Sequence, residues 1–355
     1  MTFDWNVYYY DYRNRISNLN NQVQGVVKSN KFFPVFRENN KDMIFKPLSK
    51  TKPLSTPYFA YSEVFWSTII NKYFDDSTPI YRLAICENID NEFESKYHHG
   101  TIVNSLEKSN ERLINLYEVF RDNPDSKVNI SDYVNYCEKF YSYTDIFDSK
   151  LIKENQVLSE SLAFQVLLSI LKLDQNYHYE NILFRVSNNE IKSVAPMIDH
   201  EFSTMFLYLD NLLMNKVRFN NALKSLTASN NTSDIMKLLW YESFATLSKN
   251  LDVIVSRYKD VAILFLERLK YFIKELKEEP IILENNNYLT PFNSDNYKIG
   301  HALFKDHDLK RAYKLQGELE QYSPDITDIS CIVYEETLMS SKVLSKEIEK
   351  RLIKK

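Results

Sequence analysis

The sequence predicts an α+β fold in two lobes, a small β-rich amino-terminal lobe over residues 1–87 and a large, mostly helical carboxy-terminal lobe over residues 88–355. Three observations predict it. Up to Cys86 most of the apolar segments are short and rich in β-branched and aromatic residues, and beyond it apolar residues recur mainly at helical spacing. At 355 residues the chain exceeds the usual size of one domain. Its 44% hydrophobic and 26% charged residues are those of a packed globular protein, which sets aside disorder, collagen-like repeats and coiled coil.

The elements follow in chain order. Residues 23–37 and 42–48 read as an antiparallel pair around the turn-forming Glu38-Asn39-Asn40-Lys41. A Pro-containing stretch from Ser49 to Pro57 breaks that pattern, and Tyr58 to Phe74 then has helical spacing. A strand follows over Ile80 to Cys86. Further helices are expected at 103–121, 158–172, 204–225, 234–248, 251–278 and 341–353, with a hairpin of 181–186 and 190–195 turning at Ser187-Asn188-Asn189. The aromatic run Tyr8-Tyr9-Tyr10-Asp11-Tyr12 reads as an amino-terminal packing segment or a partner-binding strand.

Composition excludes several functions. The net charge of -4 arises from 44 Lys and Arg against 48 Asp and Glu, spread along the chain, so nucleic acid is not an expected direct ligand. Cys86, Cys137 and Cys331 are too few and too scattered for a disulfide framework or a paired zinc motif. No run approaches 18 apolar residues and the first residues lack a signal-peptide pattern, so no membrane is expected and the protein reads as cytoplasmic. With four glycines, Gly25, Gly100, Gly300 and Gly317, the chain cannot supply GxGxxG or a Walker A loop. Adjacent His98 and His99 read as surface loop, since neighbours in a regular element point to different sides.

Two groups of residues carry candidate chemistry. Lys46 lies in an apolar strand, where an ammonium either pairs with a carboxylate or points to solvent, and Glu63 in the next helix is the natural partner. The second group is the polar loop from Asp174 to Asn181, between an apolar helix and an apolar strand, followed by Ala195-Pro196-Met197-Ile198-Asp199 after the next strand. If the two strands form a hairpin, Asn181 and Asp199 offer hard oxygen ligands of the kind Mg²⁺ prefers.

Lys46-Pro47 on a strand, Glu63 on a helix, His178-x-x-Asn181 in a loop and Ala195-Pro196-x-x-Asp199 together resemble the HipA-like serine/threonine kinases over roughly residues 40–205. That resemblance implies a bilobed protein-kinase-like fold and an activity that needs ATP and Mg²⁺. It places Lys46 on the ATP phosphates, supported by Glu63, with Asn181 and Asp199 as metal ligands and His178 as a structural member of the catalytic loop. Tyr81 to Asp90 looks like the hinge strand, so the backbone at Glu87 and Ile89 would bind adenine. The loop departs from the family pattern Asp-Arg-His-x-x-Asn: with His178 and Asn181 aligned, the catalytic Asp falls on Asn176, whose amide can orient a hydroxyl but not accept its proton. Asp174 supplies the carboxylate if the loop carries a two-residue insertion.

Three readings follow. The first is a protein kinase phosphorylating Ser or Thr of a cytoplasmic protein, as a toxin or defence effector of the toxin–antitoxin kind. The second is a nucleotide-binding pseudokinase read by a regulatory protein partner. The third is an interaction protein without nucleotide binding.

Overall fold

The structure is a computed structural model and describes residues 2–20, 32–47, 58–75, 78–87, 97–106, 110–121, 144–174, 181–188, 190–198, 200, 244–245, 247–279, 281 and 326–354. Its architecture is α+β, an amino-terminal sheet with one helix followed by a helical part that carries a small second sheet, the arrangement expected of a bilobed kinase-like fold.

The first sheet has six strands: β1 (Val7–Asp11), β2 (Ser17–Asn20), β3 (Phe32–Glu38), β4 (Lys41–Pro47), β5 (Arg82–Glu87) and β6 (Tyr97–Asn104). They lie in the order β1-β5-β6-β4-β3-β2. β3 and β4 form the expected antiparallel pair, and Glu38 opposite Lys41 leaves a two-residue turn. Asn39 and Asn40 adopt φ values of 48° and 62° there. Asparagine tolerates this left-handed region better than most residues, so it serves a hairpin turn in a glycine-poor chain. The tyrosine run forms β1, an edge strand parallel to β5.

The helix α1 (Tyr58–Ile69), which follows β4 in the chain, continues through one π-turn to Phe74. The helical part contains α2 (Leu116–Arg121), α3 (Thr144–Asp148), α4 (Lys150–Lys153), α5 (Gln156–Lys172), α6 (Leu251–Arg257), α7 (Lys259–Glu278) and α8 (Ile326–Ile353). Its small sheet joins β7 (Arg112–Asn115), β8 (Leu183–Ser187) and β9 (Glu190–Val194). β8 and β9 are the expected hairpin, with Asn188 at φ 53° in the turn.

Tertiary pairing overrides helical spacing in one segment. The expected helix over 103–121 is instead the end of β6, then β7, and only six residues of α2. Ile102 and Val103 are β-branched and pair with Phe45 and Ile44 of β4, while Arg112 to Asn115 pair with β8. Because β6 belongs to the amino-terminal sheet, that sheet extends to Asn104, and the expected boundary after residue 87 falls inside the β5–β6 hairpin. The expected helix at 251–278 breaks at Tyr258, and the terminal one reaches back to Ile326. The expected helix at 204–225 and most of that at 234–248 lie outside the described residues.

One apolar core runs from Trp5, Trp66 and Leu83 beneath the sheet through Val166 and Leu168 to Phe265 and Ile348. A smaller cluster of Phe36, Met43, Phe45, Cys86 and Ile102 fills the opposite face of the sheet. Complete burial of side chains such as Phe45 and Ile102 contributes roughly 1.5–3 kcal/mol each. Burial pushes the Cys86 thiol up to about 12, so this cysteine is an apolar filler and not a nucleophile.

Candidate active site

The site is built outward from β4. Met43 and Phe45 point into the smaller cluster, so by alternation Ile44 and Lys46 face α1. In α1 the residues from Ala60 to Trp66 are buried, Glu63 among them at 1% exposure. A carboxylate there requires partners: one Glu63 oxygen pairs with the Lys46 ammonium and the other accepts a hydrogen bond from the His200 backbone N–H at 2.8 Å. The Lys46 side chain, anchored by this pair, keeps 21% exposure.

Gly100 controls how closely β6 approaches this strand. A Cβ at Gly100 would lie 2.2 Å from the Lys46 carbonyl oxygen and 2.9 Å from Pro47 Cα, both backbone atoms that cannot rotate aside. Only glycine permits the pairing that carries Lys46.

The segment after β9 is clamped along its length. The Ala195 N–H donates to Leu183 O at 2.7 Å, and Gln165 of α5 donates to Ala195 O at 2.7 Å. The Thr78 hydroxyl donates to Met197 O. His200 is fully buried, and the Ser62 hydroxyl donates to its carbonyl. The Lys172 ammonium lies 2.8 Å from His200 Nδ1, and Thr78 Oγ1 lies 3.2 Å from Nε2. Because an ammonium can only donate, Nδ1 accepts and Nε2 carries the ring hydrogen toward Thr78. Burial first, then the Lys172 and Lys46 charges, hold the imidazole well below its ordinary pKa and therefore neutral.

α5 delivers the other side of the site. It ends at Lys172, after which Leu173 takes φ 52° and the Asp174 N–H returns to Ser169 O at 2.9 Å, a Schellman-type stop. A leucine in that conformation costs on the order of 1 kcal/mol, and its burial at 2% exposure offsets the strain. The turn places Asp174 Oδ2 2.8 Å from Lys172 Nζ, with both side chains at 1% exposure or less. Lys172 thus ties the residue that opens the polar loop to the residue that follows Asp199.

The structure therefore joins Lys46, Glu63 and Asp174 through His200 and Lys172, two residues that sequence reasoning did not single out. A lysine ending an otherwise apolar helix and a histidine beside Asp199 were the available signals. Asn181 stands half-buried at the turn before β8, where Ile182 O accepts from the Leu116 N–H. Asn176, His178, Asp199 and Ile89 lie outside the described residues.

Glu87 is not brought to this cluster. Lys46 and Leu83 both pair with Thr101, whereas Glu87, paired with Tyr97, lies four residues beyond Leu83, roughly 13 Å further along the strand direction at about 3.3 Å per residue. The sheet strand that runs on toward the helical part is β6, and Arg185 of β8 donates to Leu106 O just beyond it at 3.1 Å. His98 and His99 also depart from expectation, lying on β6 instead of a surface loop, with His99 buried.

An ammonium anchored in this way suits an anionic oxygen such as those of the ATP phosphates. The amide of Asn181 and the carboxylate of Asp199 are hard-oxygen donors that suit Mg²⁺. Among the described residues no group of three or more His, Cys, Asp or Glu is placed to hold a metal ion.

With this geometry in place, the chain can be set beside known proteins. One similarity is to a kinase. It is the crystal structure of a Helicobacter pylori proinflammatory kinase, CtkA, which is 12% identical and covers 67% of this chain and 90% of that one, at a TM-score of 0.34. No protein-family model matches the chain, and no curated protein does. A likeness this distant leaves the functional question to the chain's own residues.

Proposed function

We propose that this protein is a HipA-like kinase that uses ATP and Mg²⁺ to phosphorylate a Ser or Thr hydroxyl of a cytoplasmic protein, as a toxin or defence effector. The observation that carries the reading is the Lys46–Glu63 pair, with the second Glu63 oxygen on the backbone of His200, next to Asp199. In the reaction the hydroxyl oxygen bonds to the γ-phosphorus of ATP, the bond to the bridging oxygen breaks with its electron pair going to ADP, and the hydroxyl proton passes to a carboxylate or, without one, to the transferred phosphoryl group. Positioning and charge supply most of the acceleration in such transfers. Lys46 would hold the phosphates, and Asn181 and Asp199 would hold the metal. Either Asp174 or Asn176 would orient the hydroxyl.

A second reading, a nucleotide-binding pseudokinase acting through a protein partner, is favoured by one observation. The Asp174 carboxylate is buried against Lys172, so it is not presented to solvent as a general base. Thermal unfolding with and without Mg²⁺-ATP tests what both readings share: binding to the folded state adds about 2.7 kcal/mol at a hundredfold excess over Kd. A rise of several degrees supports a nucleotide site, and no shift leaves an interaction protein. Asp174→Asn then separates the two, because it preserves a polar contact for Lys172 while removing the basicity. Loss of phosphate transfer in a folded Asp174→Asn protein supports a kinase using Asp174; transfer at the unaltered rate assigns the role elsewhere; no transfer by either protein, with nucleotide bound, supports the pseudokinase.

A further inference from the structure

We propose that His200 is a positioning residue for metal-assisted nucleotide binding, itself tied to both α1 and α5 and next in sequence to the metal-ligand candidate Asp199. This rests on the kinase reading and names a residue that reading does not need for direct contact with ATP.

The inference stands on saturation. Both backbone polar groups of His200 and both ring nitrogens are engaged, and the partners come from three separate places in the chain. Glu63 and Ser62 of α1 take the backbone N–H and C=O. Lys172 at the end of α5 takes Nδ1, and Thr78, ahead of β5, takes Nε2. The ring also meets Tyr81 edge-on, with centroids 5.9 Å apart. A residue needed only to fill the core would be apolar, since each buried polar atom must otherwise be satisfied.

The same hydroxyl of Thr78 receives His200 Nε2 and donates to Met197 O. Residues 197 and 200 are thereby closed onto one atom, and Asp199 falls between them in sequence. Residues that hold and orient a metal ligand typically change metal affinity about 10- to 100-fold when removed.

The test compares His200→Leu, His200→Asn and Thr78→Val with the unaltered protein, using calorimetric titration of ATP with EDTA and with MgCl₂. The quantity read is the ratio of the two affinities, which general destabilisation does not change. His200→Leu is expected to lower that ratio about tenfold. His200→Asn, whose side-chain oxygen can accept from Lys172, is expected to restore much of it, and Thr78→Val to lower it in the same sense. An undiminished ratio in folded His200→Leu and Thr78→Val overturns the inference while leaving the nucleotide site intact. Absence of ATP binding by the unaltered protein overturns the kinase reading and this inference with it. Should His200→Leu not fold, Thr78→Val decides the matter alone.

Discussion

Lys46 shows how a single position can carry both a fold and a chemistry. Its partner Glu63 is buried, so removing the ammonium leaves a carboxylate charge inside the protein that has lost its cation. Lys46→Met is therefore expected to lose stability on the order of 3 kcal/mol, and also any stabilisation by Mg²⁺-ATP. The double variant Lys46→Met/Glu63→Gln is expected to regain part of the stability, because the neutral amide still accepts from His200, but none of the ATP effect. Thermal unfolding of both proteins with and without ATP checks this. Recovery of the ATP shift in the double variant would remove Lys46 from the phosphate site.

At the scale of elements, the decisive contact is between β4 and β6. Their backbones approach at Gly100 to a distance that no Cβ tolerates. Gly100→Ala is expected to cost about 1–3 kcal/mol, the usual range for overpacking. That corresponds to a fall in Tm of several degrees, at roughly 2–4 °C per kcal/mol for domains somewhat smaller than this chain. Hydrogen exchange would show where the damage falls: the amides of β4 and β6 lose protection while those of α7 keep it. Unchanged protection around Lys46 would mean that the strands accommodate the methyl group.

The whole molecule couples burial to acid sensitivity. Burial, with a smaller contribution from His98, depresses His99 to about 4, against about 6.5 for a free histidine. As the pH falls below 6.5 the unfolded chain takes up the proton before the folded one. Stability is thus complete above pH 6.5 and declines as pH falls toward 4, by up to about 1.4 kcal/mol per pH unit for this group. His200 is shifted in the same direction. Tm is therefore expected to drop between pH 7 and pH 5, and His99→Gln to show a shallower drop. An equal drop in both proteins would assign the acid sensitivity to other groups. Among the described residues no helix is long and apolar enough to cross a membrane.

The sequence by itself determined the local structure, the two asparagine-turned hairpins with α1 and α5, because turns, caps and periodicity are written within a few residues of one another; it left Lys46 open between Glu63 and solvent, and the fold decided for Glu63. It also marked the segments at 174–181 and 195–199 as carriers of candidate groups. Only the tertiary structure decided that 97–104 is a central strand, since that outcome depends on β4 and β5 lying on either side of it. Only the tertiary structure set Glu87 far along β5 from Lys46, for register is a relation between strands. The buried line of Lys46, Glu63, His200, Lys172 and Asp174 spans 154 positions, as 200 − 46 gives. No local pattern encodes it; it forms because each polar group, once folding has removed its water, must find its partner in another element.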